Sequence, residues 1–252
     1  MPFDLAWVQA RLPARRIDWH STIGSTMTEA SRLAAEGCPS GTVVGADAQS
    51  AGQGRYGRSW LSEADAGLYV SVVLRYNFAP GEAPVVTLAL GLATVEAILK
   101  TTDIACDLRW PNDVLIGPKK CAGILTHMEG SAIVAGIGIN VNQPSFPPDL
   151  SEIATSLRIV SGRAQSRERL LVDLLVNMDR YCALLEKEGP DPILKLFSRA
   201  SSYVSGRRVT VDLGSGAVCG TTAGLNESGF LMLRSDDGSE HVIIAGGVRP
   251  CS

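Results

Sequence analysis

Apolar positions along this chain keep helical spacing in some stretches and strand-like spacing in others, and the texture changes near residue 204. The clearest helical pattern follows Ser166. Leu170, Leu171, Leu174, Leu175, Met178, Cys182 and Leu185 share one face, and Gly189-Pro190 ends the run. Residues 85–100, opened by Pro84, are apolar nearly all round and predict a buried helix. A short amphipathic segment is expected up to Pro13 and a shorter helix over 192–200. Thr26-x-x-Glu29 has capping-box spacing ahead of Ala30, Leu33 and Ala34, and Gly37 stops that helix.

Strand texture, rich in β-branched and aromatic residues, marks 17–20, 41–47, 67–75, 107–110, 114–116, 120–125 and 132–140. Pro111-Asn112-Asp113 must interrupt two of these, and the Pro-rich 143–150 reads as a loop. Short turns join most neighbours, which predicts a mixed, largely antiparallel sheet. Beyond Ser205-Gly206 come short strands at 208–213, 217–218, 220–225, 229–233 and 241–244. Asp-Leu-Gly-Ser-Gly, Asn-Glu-Ser-Gly and Asp-Asp-Gly-Ser separate them, as in a small β-barrel. The expectation is an α+β chain of two domains, 1–204 and 205–252.

Composition narrows the function classes. With 252 residues, 45% hydrophobic and 19% charged, a packed core is expected. A net charge of −3 gives no support for nucleic-acid binding. Six scattered cysteines form no C-x-x-C pair, which argues against a zinc site or disulfide scaffold and suits a reducing cytoplasm. No basic segment followed by an apolar one opens the chain, so no secretory signal is expected. The longest apolar stretch is broken by Thr87, Thr94 and Glu96 and reads as too short and polar to span a membrane.

Four stretches carry candidate chemistry. Gly52-Gln-Gly-Arg-Tyr-Gly-Arg-Ser-Trp60 is a loop whose N–H groups and guanidiniums suit an anion, or simply a solvated turn. Gly24-Ser25-Thr26 opens a helix, where polar residues either cap or hold a ligand. Arg109 to Leu125 brings Asn112 and Asp113 to a turn and Lys120 to a strand start, as a solvated end or as a point charge for phosphate or carboxylate. In Gly136-Ile-Gly-Ile-Asn140, two glycines inside a strand permit close approach of another group. There is no P-loop and no H-E-x-x-H, and His20, His127 and His241 lack metal-ligand spacing. Gly52-x-Gly54-x-x-Gly57 matches the dinucleotide fingerprint, but no helical pattern follows it.

Taken together and in order, these motifs resemble those of biotin protein ligases. The Gln49-to-Trp60 segment is similar to their G-R-G-R-x-G-R-x-W loop, and Arg109-Trp-Pro-Asn-Asp113 with Lys120-x-Ala-Gly-Ile-Leu125 to their K-W-P-N-D and K-x-A-G-I-L segments. Gly136 to Asn140 is similar to G-x-G-I-N, Ser25-Thr26-Met27 to S-T-N, and the C-terminal texture to an SH3-like β-domain. The resemblance implies a class II synthetase-like catalytic domain followed by an SH3-like barrel. It implies ATP-dependent conversion of biotin to biotinyl-5′-AMP, then transfer to a lysine of a biotin carboxyl carrier protein, as in acetyl-CoA carboxylase and related carboxylases. Arg55 and Lys120 would be catalytic. Ser25, Thr26, Met27, Gln49, Gln53, Gly54, Arg55, Lys120 and Gly123 would hold biotin. Arg55, Arg58, Trp60, Asn112, Lys120 and Asn140 would hold the nucleotide. Mg²⁺ would come with ATP, without a dedicated protein metal site. The glycine loop would cover the adenylate, and a free sheet edge leaves a homodimer open. Gln53 stands where the family often has arginine, and Met27 where it has asparagine. Residues 1–16 are too few for the helix-turn-helix domain some members carry, so no DNA binding is expected. A lipoate ligase or octanoyltransferase of the same fold, and a non-catalytic biotin sensor, are the competing readings.

Overall fold

The computed structural model describes residues 3–76, 83–212 and 216–251. In chain order the elements are α1 (Leu5–Gln9), β1 (Ile17–His20), α2 (Thr26–Ala35), β2 (Val43–Ala46), β3 (Gly67–Leu74), α3 (Ala83–Thr102), β4 (Asp107–Arg109), β5 (Asp113–Ile116), β6 (Lys119–Glu129) and β7 (Ala132–Asn140). Then follow α4 (Pro148–Ser151), α5 (Leu157–Ser161), α6 (Arg167–Glu188), α7 (Pro190–Ala200), β8 (Ser205–Asp212), β9 (Ala217–Leu225), β10 (Leu231–Arg234), β11 (Glu240–Ile243) and β12 (Gly247–Pro250).

Seven strands form the first sheet, in the order β1-β2-β3-β7-β6-β5-β4. Only β1 and β2 run parallel, so the expected mixed, largely antiparallel sheet is found. Strand alternation divides its two faces. Leu68, Val70, Val72 and Leu74 of β3 and Ile133, Ala135, Ile137 and Ile139 of β7 join the core that α3 and α6 cover. Val73 and Val134 instead pack with Ala30, Leu33 and Ala34 of α2 on the other face. Beyond the reach of α2, that second face carries Tyr69, Ser71, Gly136 and Gly138, and there the cleft lies.

α3 is longer than the apolar stretch suggested. It is long and apolar enough by composition to cross a bilayer, but most of it is buried against the sheet and α6, as a core helix is. Ser166 caps α6 as expected, accepting from the Arg169 N–H at 3.2 Å. The capping box at Thr26 is not formed. Ser25 is the N-cap residue, Thr26 is already helical, and Glu29 pairs with Arg32. Gly37 closes α2 at φ 83°, with Cys38 N–H donating to the Leu33 carbonyl and Gly37 N–H to that of Ala34. The helices α4 and α5 lie in and beyond the expected loop, where their four and five residues are too short for a periodic signal.

The second sheet is antiparallel, in the order β11-β10-β9-β8-β12. The two runs expected at 217–218 and 220–225 are one strand, and β12 went unpredicted. Among the described residues β11 and β12 do not pair, so the sheet is open where a closed barrel was expected. The centre of the Asp-Leu-Gly-Ser-Gly turn lies outside the described residues. Trp110 joins the two sheets. It lies before a cis peptide to Pro111, is 3% exposed, and donates its indole N–H to the Gly229 carbonyl at 2.9 Å.

Candidate active site

Three glycines make the cleft floor. Alternation places Gly136 and Gly138 on one face of β7, and Gly123 of β6 pairs directly with Gly138. An ideal Cβ on Gly138 would lie 2.5 Å from the Trp60 indole, on Gly123 2.9 Å from the Lys120 Cε and Nζ, and on Gly136 2.6 Å from the Met27 sulfur. The absent side chains are therefore filled by Trp60, Lys120 and Met27. A one-residue bulge at Cys121 brings Lys120 to this floor, because Val114 pairs with Ala122 while Leu115 pairs with Lys120. In an unbroken strand Lys120 and Gly123, three positions apart, would face opposite sides.

The cleft holds about 460 Å³ of open space. The glycine loop folds over it as a narrow hairpin. Trp60 N–H donates to the Gly52 carbonyl at 2.9 Å, Gln53 bridges Ser59, and Gly54 N–H reaches the Arg58 carbonyl at 2.7 Å. Its tip turns at Tyr56 (φ 58°) and Gly57 (φ 70°), the first being a backbone that bulky residues seldom adopt. Arg55 extends from this tip. One guanidinium nitrogen donates to Asn112 Oδ1 at 2.9 Å and lies 3.5 Å from the Gly246 carbonyl, and the other reaches the Tyr56 hydroxyl at 2.8 Å. Among the described residues no carboxylate pairs with it.

Lys120 Nζ lies 2.5 Å from Asp113 Oδ1 and 5.1 Å from the centre of the Trp60 ring. Asp113 Oδ2 accepts from Arg109 Nη2 at 2.7 Å and Nε at 3.2 Å. Burial pushes the Asp113 carboxyl up, but Lys120 and Arg109 outweigh it and hold the group below its ordinary range. At the far end Gln49 Oε1 accepts from the Thr26 N–H at 2.8 Å and hydroxyl at 3.1 Å, and Gln49 Nε2 donates to Ser62 at 2.9 Å. Ser71 donates to the Thr26 hydroxyl at 2.9 Å. Burial raises the Tyr69 phenol well above its ordinary pKa, so it lines the cleft as a neutral group.

Most expected site residues converge here. Thr26, Met27, Gln49, Gln53, Gly54, Arg55, Trp60, Asn112, Lys120 and Gly123 all line the cleft. Ser25 sits beside it, 4% exposed, with its hydroxyl unpartnered among the described residues. Two expected residues lie elsewhere. Arg58 is exposed on the outer arm of the hairpin, and Asn140 donates to the Thr155 carbonyl at 3.1 Å, tying β7 to the segment before α5. Sequence reasoning missed Tyr69 and the Arg109–Asp113–Lys120 triad. The i, i+4 spacing of Arg109 and Asp113 gave no signal for their pairing, because a turn between two strands brings them together.

The biotin/lipoate A/B protein ligase family matches residues 15–143, and the biotin protein ligase C-terminal domain matches 204–248. A bifunctional ligase/repressor BirA of Bacillus subtilis is 32% identical, aligned over 94% of this chain and 75% of its own length. A biotin–[acetyl-CoA-carboxylase] ligase of Mycobacterium tuberculosis is 33% identical, over 92% of this chain and 88% of that one. The biotin protein ligase of Aquifex aeolicus, solved with biotin and ATP, superposes with a TM-score of 0.85 at 29% identity, covering 94% of this chain and 99% of that one. With two family models in sequence and relatives above 30% identity over nearly the whole chain, this chain belongs to the biotin protein ligase family.

Proposed function

We infer that this chain activates biotin with ATP and transfers it to a lysine of a biotin carboxyl carrier protein. One observation carries the reading. A guanidinium without a carboxylate partner and a lysine on a glycine floor face one cleft, beneath a loop that can close over an anhydride. In the first step a biotin carboxylate oxygen bonds to the α-phosphorus of ATP, the bond to the bridging oxygen breaks, and pyrophosphate leaves. In the second, the neutral amine of the acceptor lysine bonds to the acyl carbon, the bond to AMP breaks, and the amine proton passes to solvent. Both steps gather negative charge on oxygens.

Preorganised cations stabilise such charge without reorganising. Arg55 and Lys120 are those cations. Lys120 has three donors, so it keeps Asp113 and still offers hydrogens to ligand oxygens. Asn112 aims Arg55, and Trp60 backs Lys120. The buried, unpartnered Ser25 hydroxyl at the Thr26–Gln49 end suits the polar ureido group of biotin, and Met27 supplies an apolar wall. Mg²⁺ would arrive with ATP, bound largely through the nucleotide's phosphate oxygens.

The C-terminal match and the curated relatives are those of biotin rather than lipoate ligases. The test is to incubate the protein with ATP, Mg²⁺, a carrier domain and labelled biotin or lipoate. Label is expected on the carrier with biotin alone. Lipoate transfer, or biotin binding without transfer, would overturn the reading. A cytoplasmic location is part of the same proposal, supported by six free thiols and checked by cell fractionation. The open edges β1 and β4 are where a second copy would pair, and light scattering decides that.

A further inference from the structure

The acceptor lysine reaches its target from outside, and a lysine side chain is short. The carrier backbone must therefore come down to the mouth of the cleft, beside Arg55. Two of the groups that Arg55 contacts there lead outward to exposed apolar surface. Tyr56, which accepts from its guanidinium, is 62% exposed. The Gly246 carbonyl on its other side follows β11, in which Val242 is 50% exposed, and Ile244 directly after that strand is 69% exposed. Val242 pairs across the strands with Met232, whose side chain is half-buried on β10. Among the described residues β11 has a neighbour on one side only. It is a short unpaired edge that carries Glu240, paired with Arg234, at its start and exposes Val242, with Ile244 just beyond.

We propose that this edge is the docking surface for the carrier domain, with Val242 and Ile244 as its apolar anchors and Tyr56 as its link to the cleft. The proposal rests on the ligase reading. The occupant follows from position, because the surface is continuous with the mouth that the acceptor lysine must enter. It also follows from chemistry, because single exposed apolar residues are ordinary but Val242 and Ile244, two positions apart beside a free edge next to the mouth, suit a partner that adds there. Docking then serves the second step only. Biotin activation uses small ligands and has no need of β11.

The half-reactions separate the possibilities. Biotin-dependent exchange of labelled pyrophosphate into ATP reads the first step, and trapping with hydroxylamine reads reactive adenylate without a carrier. In V242D/I244D, both are expected within about twofold of the parent, while kcat/KM for the carrier domain falls at least about tenfold. The milder V242S/I244S guards against misfolding and is expected to show a smaller loss of the same kind. In the unmodified protein, amides of 240–244 should gain hydrogen-exchange protection when carrier domain is added. Unchanged carrier kinetics in the double variants would overturn the proposal. So would a parallel loss of both half-reactions in both variants, or protection confined to other segments. A change in self-association with carrier kinetics intact would assign the edge to a second copy instead. If the unmodified protein performs no exchange, the ligase reading itself fails, independently of docking.

Discussion

Asp113 holds a cation on each carboxylate oxygen, and that arrangement fixes both a stability and a pH dependence. Removing its charge leaves Arg109 and Lys120 facing each other with side chains only 19% and 29% exposed. D113N is expected to lose about 2–3 kcal/mol of unfolding free energy near neutral pH, less than a fully buried pair because solvent screens part of it. The folded carboxyl lies below its ordinary value of 3.8, so its contribution is complete above that value and is lost as pH falls through the lower folded one. Urea titrations should therefore show the gap between parent and variant closing at the acid end, and a gap constant with pH would contradict the geometry. The glycine floor gives a second expectation. At Gly123 an added methyl meets the end of a flexible lysine at 2.9 Å and the edge of Trp60 at 3.0 Å, whereas at Gly138 it runs into the rigid Trp60 ring at 2.5 Å. G138A should weaken ligand binding markedly more than G123A, with thermal stability of the two similar. Titration calorimetry with biotin and with ATP checks the order.

Elements hold the cleft from behind. Arg167 opens α6, is 3% exposed, and donates to Asp47 at 2.9 Å and Asp65 at 3.0 Å. It thus fastens the helix to the segment leading from β2 into Gln49, and to the turn before β3. R167L would leave the Asp47 carboxylate, only 18% exposed, without this partner. A loss of about 3 kcal/mol is expected, seen as a lower midpoint in thermal unfolding. Biotin affinity should fall with it, because Gln49 is two residues from Asp47. A variant as stable as the parent would mean that α6 is held by its apolar face alone. The bulge in β6 acts at the same scale. The extra residue breaks the alternation between Lys120 and Gly123, so that residues three apart serve the same side of the sheet.

At the scale of the whole molecule, the two sheets meet through Trp110 and Gly229, and that glycine is pressed against Val85, Leu88 and Leu194. W110F keeps the ring packing but leaves a carbonyl unpaired, and about 1–3 kcal/mol should be lost. Hydrogen exchange is expected to show β8 to β12 opening before the larger sheet in this variant, and together with it in the parent. Much of this architecture was legible in the chain. Periodicity located α6, and β-branched runs located β1, β3 and β7, because each buries a continuous face and writes that face into its spacing. The order of Gly-Gln-Gly-Arg, Trp-Pro-Asn-Asp and Lys-Cys-Ala-Gly pointed to the chemistry only through its resemblance to biotin protein ligases, since each stretch alone also fits a solvated loop or strand end. What spacing could not carry was contact between distant segments. Ser25 displaced Thr26 as the cap because Gln49, distant in sequence, had already engaged Thr26. Asn140 left the cleft for the Thr155 carbonyl, and Arg58 turned outward because the hairpin closed through its backbone rather than its side chain. The sequence by itself determined most of the elements and the family, which follow from local pattern and motif order. Only the tertiary structure decided which oxygen of Asp113 each cation holds, and that Trp60 lies in the space Gly138 leaves, because those facts depend on how segments far apart in the chain are set side by side.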